Sequence, residues 1–300
     1  MVDVIATDDV VKAQVAPAAP AKRRKSLWLR QLTPGQVLRH VILITMMFVV
    51  LMPFVWMLLG AFKTYDDLMR NPGMWPDPFT LQNFEEIFLL TPFASAFVNS
   101  LVLAVAKVVA ACASSLVLGY IFAKYRFPGR GLLFGLILST MLIPFTAIFI
   151  PLYLTMSEFG LLNSIEGLFV ISIFSGFGTF LLRQWLLGLP DSYIEAARVD
   201  GAGEFRIMFR IIAPMAGAPL AALAVFTFLG SWDDFLFPNI VLTDPDVRTI
   251  PLALAGLKSL YWERYEIFAA GAMVTVVPVM ILYGFLQKYF ISGLTGGIKG

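Results

Sequence analysis

Lys107 stands within the apolar run LVLAVAKVVAAC. A charge at the centre of such a segment costs roughly 2.5–3.5 kcal/mol on insertion scales, so the amine must face a bundle interior or a wet cavity. It either borders a path taken by a polar solute or is a structural lysine paired within the bundle or with a partner chain. Asp233 and Asp234 follow another apolar run and reach its interface, as the lining of a mouth or as ordinary interfacial charges. There is one histidine, His40, and one cysteine, Cys112. A His/Cys metal site or a Cys-His pair therefore has almost no raw material. His40 reads as an interfacial residue beside Arg39, and Cys112 as a small packed one. The glycine-rich ending GLTGGIKG fails the G-x-x-x-x-G-K-[ST] spacing of a phosphate loop. No catalytic residue, metal or cofactor is expected, and ATP hydrolysis would need another chain.

The most deliberately built polar segment is PDSYIEAARVDGAGEFRIMFRIIAP, Pro190 to Pro214, between two apolar stretches. Ser192 and Glu195 have capping-box spacing, in which each side chain satisfies the other's backbone N–H. Ala196, Ala197 and Arg198 favour a helix, and Gly201 is placed to end it in a left-handed turn. A second helix is expected from about Ala202 to Ala213, stopped by Pro214. Phe205, Met208, Phe209 and Ile212 give it an apolar stripe. An amphipathic connector in the lipid interface would explain the phenylalanines. It would not explain EAARVDGAG, whose flat alanine surface suits close docking on another protein.

The elements that position these residues are read from hydropathy. The 300 residues are 59% hydrophobic and 14% charged, with a mean hydropathy of +0.81, the composition of an all-α integral membrane protein. Six stretches meet the length of about 20 apolar residues that a crossing needs: 41–62, 98–123, 131–155, 167–189, 215–232 and 267–290. The runs are continuous rather than alternating, which excludes transmembrane strands. Of the 22 Lys and Arg, sixteen fall on the side of the termini and of 190–214, five on the other, and Lys107 within a span. Both termini and the 190–214 segment are thus expected in the cytoplasm. Pro53, Pro144, Pro151 and Pro278 punctuate spans, each either lining a path or making a simple kink. Residues 1–35 read as a disordered tail ending in the basic anchor KRRK, and 36–300 as one six-span domain. No basic-aromatic patch in the chain would track a phosphate backbone, and KRRK reads as a stop beside a span ahead of a nucleic-acid contact.

EAARVDGAGEFRIMFRIIAP resembles the EAA loop of permease subunits of binding-protein-dependent ABC importers: Glu195, Ala196, Ala197, Gly201, Ile211 and Pro214 match in order, and Asp200 fits the common DGA form. NSL (Asn99 to Leu101), FPGR (Phe127 to Arg130), SWDDFLFP (Ser231 to Pro238), RTIPLAL (Arg248 to Leu254) and GLTGGIKG resemble the carbohydrate, maltose permease MalG-like group. Residues before about 35 carry no resemblance. Asp233 departs from it, Asn being commoner there.

The resemblance implies the type I ABC importer permease fold in a bacterial cytoplasmic (inner) membrane. It also implies a heterodimeric second permease, two copies of an ATP-binding subunit and an external solute-binding protein. A sugar or polyol would pass by alternating access. Glu195, Ala196, Ala197, Asp200 and Gly201 would form a coupling helix seated on the ATPase, with Lys107, Asp233 and Asp234 near the substrate path. The outer loop TDPDVRTIPLALAGLKSLYWER would meet the loaded binding protein, and the tail would reach the ATPase interface. A self-contained transporter would instead need buried acids or a second half. A membrane enzyme would need a nucleophile and base that His40 and Cys112 cannot supply.

Overall fold

The computed structural model describes residues 34–71, 73–260 and 264–296. The predicted N-terminal tail lies outside them except for its last residues, as do the final four residues of GLTGGIKG. The described chain is helical: α1 (Pro34–Gly60), α2 (Tyr65–Arg70), α3 (Gln82–Leu90), α4 (Phe93–Lys124), α5 (Arg130–Thr140), α6 (Phe149–Glu158), α7 (Ile165–Val170) and α8 (Gly176–Leu187). Next come α9 (Ser192–Val199), α10 (Glu204–Ile207), a π turn over Met208–Ile212, and α11 (Ala213–Met215). Last are α12 (Gly217–Trp232), α13 (Leu236–Val241), α14 (Ile250–Leu260) and α15 (Tyr265–Gly296). Two compact units divide within α1, Met1–Met52 and Pro53–Gly300. The helix contacts and polar junctions described below lie in the second.

Among the described residues, four segments are long and apolar enough to cross a membrane: Pro34–Gly60, Phe93–Lys124, Gly217–Val241 and Tyr265–Phe285. A fifth is possible if Arg130–Thr140 and Phe145–Glu158, bent by 92°, count as one. The predicted first, second, fifth and sixth stretches coincide with α1, α4, α12 and α15. The third and fourth are not single helices. Pro144 takes an extended conformation and turns the third stretch into a 3-10 turn and α6. In the fourth, the chain leaves α7 at Ile171, and Ser175 then caps α8 by accepting from the Gly178 N–H at 3.0 Å. The other prolines leave their helices intact. Pro53 and Pro278 lie inside α1 and α15, and Pro151 sits in the first turn of α6, where a missing N–H costs nothing.

The centre of the second unit is α4, which packs against α7, α8, α12 and α14. Its contact with α8 is tight because two residues lack a side chain there. A Cβ on Gly119 would lie 2.7 Å from the Leu182 Cβ, and one on Gly178 would lie 2.1 Å from the Ser115 Oγ. Gly131 and Gly135, four residues apart at the start of α5, have no such neighbour in this chain. Trp232 locks α12 to α15 by donating to the Thr275 carbonyl at 3.1 Å, while its ring stacks on Phe228.

Both ends of α4 are held by polar contacts. Near its start, the Asn99 amide donates to the Asp246 and Arg248 carbonyls at 3.0 and 3.1 Å. The Ser100 hydroxyl accepts the Ile250 N–H, at the head of α14, at 2.8 Å. NSL and RTIPLAL, far apart in sequence, are thus one junction. At the other end, the last carbonyls of α4 lack intrahelical partners. Arg183 of α8 donates to the Phe122 carbonyl at 3.1 Å, and Arg130 of α5 to those of Tyr125 and Ala123 at 3.0 and 3.4 Å. Cations at a helix C-terminus also complement its dipole.

Candidate functional site

Beside that cation-bound end of α4 lies α9. Its start differs from the capping-box expectation. Asp191 is the N-cap, and its carbonyl accepts the N–H groups of Ile194 and Glu195 at 2.9 and 3.0 Å. The Glu195 N–H is therefore used within the helix, and Ser192 becomes a helical residue rather than the cap. The helix starts one residue early because Lys124 holds the chain there: its Nζ donates to the Leu189 carbonyl and to Asp191 Oδ1, both at 2.6 Å. This ion pair holds the Asp191 carboxyl below the ordinary aspartate range.

The other end follows the expectation. Gly201 has φ +76°, its N–H donates to the Arg198 carbonyl at 3.0 Å, and the Ala202 N–H donates to the Ala197 carbonyl at 2.9 Å. These two bonds form a Schellman motif, which needs the left-handed residue that glycine supplies. Ile194 and Ala197 are buried in one core with Leu116, Tyr120, Leu182, Leu186, Ile207, Met208 and Ile212. The remaining face, with Tyr193, Glu195, Ala196, Val199 and Asp200, is exposed, Val199 by 87%. Of the five predicted coupling residues, Glu195, Ala196, Asp200 and Gly201 lie on the open surface, and Ala197 packs inward.

Two expectations for the second helix need correction. Pro214 does not stop it, since the helical stretch runs to Met215. Proline has no N–H for the Arg210 carbonyl, and its ring crowds that group. The preceding turn widens in response, with the Ala213 N–H reaching back five residues to Met208. The apolar stripe is also split. Met208 and Ile212 are buried at 5% and 0% exposure, whereas Phe205 and Phe209 are 77% and 49% exposed. Two faces therefore share the four residues, one turned to the bundle and one outward.

Glu204 gathers three elements. Its Oε2 accepts the Tyr120 hydroxyl of α4 at 3.0 Å, and its Oε1 accepts Arg198 Nε of α9 at 2.9 Å. The Tyr125 hydroxyl, then Tyr120 and Arg198, hold the Glu204 carboxyl below the ordinary glutamate range, against partial desolvation. A mostly apolar cavity of about 410 Å³ opens beside it, lined by Tyr120, Ile121, Tyr125, Phe127, Phe205 and Met208 among others.

The other predicted residues lie elsewhere. Lys107 is buried on α4, with Asp234 the carboxylate that acts on it electrostatically; no ion pair within 4 Å joins them. Asp233 is exposed. Among the described residues, no cluster of three or more His, Cys, Asp or Glu side chains could hold a metal. Sequence reasoning missed Lys124, Glu204 and Tyr120 as parts of the site. Each looks like an ordinary interfacial residue until its partner, tens of residues away, is known.

The family model described as "Binding-protein-dependent transport system inner membrane component" matches residues 115–296. The chain is 38% identical over 259 residues to the arabinooligosaccharides transport system permease protein AraQ of Halalkalibacterium halodurans, covering 84% of this chain and 92% of that one. It is 31% identical to the diacetylchitobiose uptake system permease protein NgcG of Streptomyces coelicolor, covering 86% and 87%. Its fold matches a chain from the crystal structure of a bacterial ABC transporter involved in import of the acidic polysaccharide alginate, with TM-score 0.75, 21% identity, and coverage of 85% and 96%. These relatives are transport permeases rather than enzymes. This chain belongs to the family of binding-protein-dependent transport system inner membrane components.

Proposed function

We propose that this permease is the MalG-like half of an ATP-driven importer that moves a sugar or polyol from an external binding protein into the cytoplasm. It crosses the bacterial cytoplasmic membrane six times, the bent α5–α6 segment and the α7–α8 pair supplying the third and fourth crossings. Both termini and the 190–214 loop face the cytoplasm, and residues before about 35 form a basic tail outside the permease domain. A second permease and two ATPase subunits complete the assembly. Oligosaccharides are favoured as cargo by the names of the sugar permeases it resembles.

In this reading, α9 is the coupling helix. The observation that carries it is the division of α9 into two faces. Ile194 and Ala197 anchor it in the bundle core, while Glu195, Ala196, Val199 and Asp200 stay exposed on a short helix fixed at both ends. A rigid plug of this kind passes displacement from a socket to the spans. Lys107, Asp233 and Asp234 are assigned to the substrate path.

The test is co-purification with the ATPase subunit and partner permease. Wild type retains the ATPase. Glu195→Lys inverts a charge on the open face, and Gly201→Pro removes both the left-handed turn and the N–H bonded to Arg198. Either variant releases the ATPase, or keeps it while uptake fails. Failure of the wild type to retain any ATPase, with ATP-independent transport in liposomes, overturns the proposal.

A further inference from the structure

Tyr120 and Lys124 are four residues apart on α4 and so share one face of its last turns. Both grip α9, at opposite ends. Lys124 holds Asp191 at its start, and Tyr120 holds Glu204, which in turn holds Arg198 in its last turn. Apolar packing of Ile194 and Ala197 against Tyr120, Leu182 and Leu186 fills the space between. The start of α9 is thus tied to α4 directly, whereas its end is tied through the Glu204 carboxylate, which also draws the Tyr125 hydroxyl at the C-cap of α4, itself acting on Arg198. Glu204 receives a buried hydroxyl from one element and a guanidinium from another, with Arg198 Nη2 at 2.8 Å from the same oxygen that Nε reaches.

We infer that Glu204 is a positioning residue for transport. By joining Arg198 to Tyr120 and Tyr125, it makes α9 and the end of α4 one body, so that displacement of α9 reaches the long helix. The inference rests on the reading of α9 as the coupling helix and names the residue through which its motion leaves the loop. Without the carboxylate, α9 would still present its open face to the ATPase. It would then pivot about the Lys124–Asp191 pair instead of carrying α4 with it.

The experiment uses the assembled complex of both permeases and the ATPase in nanodiscs, with amide hydrogen exchange measured with and without Mg-AMP-PNP. In the wild type, nucleotide changes exchange in α9 and in residues 118–124 of α4 together. In Glu204→Leu, which keeps the bulk but no polar atom, and separately in the milder Tyr120→Phe, the ATPase stays bound and the α9 response persists. The α4 response falls several-fold, and exchange at the end of α4 runs about tenfold faster, the effect of losing one hydrogen bond to a charged group. The double variant is no worse than Glu204→Leu, because loss of the carboxylate already breaks the Tyr120 contact. A nucleotide response of α4 that survives in both single variants overturns the inference. So does a general loss of protection in which the α9 and α4 responses fall in equal proportion, the mark of a merely structural role. Absence of ATPase binding in the wild type overturns the underlying reading of α9, and this inference with it.

Discussion

The α4–α8 contact allows a prediction whose magnitude follows from distances. An alanine at Gly119 would place its Cβ 2.7 Å from the Leu182 Cβ and 3.0 Å from the Arg183 backbone N. Carbon atoms pack best at about 3.5–4.0 Å. Neither neighbour is the end of a flexible side chain, so α8 itself must retreat. Overpacking of this kind costs about 1–3 kcal/mol. The retreat also stretches the Arg183 bond to the Phe122 carbonyl, now 3.1 Å. Losing part of a charge-assisted bond brings the total to about 2–4 kcal/mol. At about 2–4 °C per kcal/mol, Gly119→Ala should lower the melting temperature of the detergent-purified protein by about 4–16 °C.

Gly178→Ala supplies the contrast. Its Cβ would meet the Ser115 Oγ at 2.1 Å and the Leu223 methyl carbons at 2.7 and 3.0 Å, all of them side-chain ends. The Ser115 hydroxyl is buried without a hydrogen-bond partner, so removing it forfeits no bond. Gly178→Ala alone should cost about 1–3 kcal/mol. Ser115→Ala in the same chain should restore more than half of that, but should do nothing for Gly119→Ala. Tryptophan fluorescence melts of the two singles and two doubles decide the matter. A Gly119→Ala protein as stable as wild type, or a Gly178→Ala defect that Ser115→Ala fails to relieve, would refute the close approach of α4 and α8.

Two further outcomes follow from the polar junctions. Ser100→Ala leaves the buried Ile250 N–H without its partner and should cost about 1–3 kcal/mol, read as a lower melting temperature, whereas Ser100→Thr keeps the hydroxyl and most of the stability. The Asp191 carboxyl has a depressed pKa in the folded protein. Its contribution is therefore present above the unfolded aspartate value of about 3.9 and is lost as pH falls through the lower folded value. The melting difference between wild type and Asp191→Asn should be flat from about pH 5 to pH 8 and shrink in more acid solution; a difference that changes near neutral pH would contradict the Lys124–Asp191 pair.

Hydropathy revealed α1, α4, α12 and α15, with ends that differ by up to seven residues, because a long apolar run has few alternatives to a long helix. It is blind to direction. Pro144 was visible as punctuation, but not the 92° turn that follows it, and the step between α7 and α8 is too slight in polarity to register. In the 190–214 segment, Gly201 was legible because a left-handed helix end all but names its residue. Ser192 and Glu195 misled because Lys124, 67 positions from Asp191, decides where the helix begins. The stripe of Phe205, Met208, Phe209 and Ile212 assumed a uniform 3.6-residue period, and the π turn before Pro214 breaks that period. NSL and RTIPLAL were each noticed, yet nothing in either string says that one hydrogen-bonds the other.

The long helix α4 explains why these separate features belong together. It contains no proline, unlike α1 and α15, and from Ser100 to Lys124 it rises about 36 Å at ~1.5 Å per residue. One end holds the loop before α14 through Asn99 and Ser100, and the other holds the N-cap of α9 through Lys124 and Glu204 of α10 through Tyr120. Both attachments are hydrogen bonds, which fix direction as well as distance and therefore resist rotation as well as separation. Apolar contact alone would let a helix slide over its neighbour. Between the two junctions, Gly119 brings α8 close enough for Arg183 to hold the Phe122 carbonyl, so the last turns of α4 cannot unwind without disturbing α8. On the proposed reading of α9, a movement imposed there has a stiff route along the bundle, past the buried Lys107, to the junction with α14.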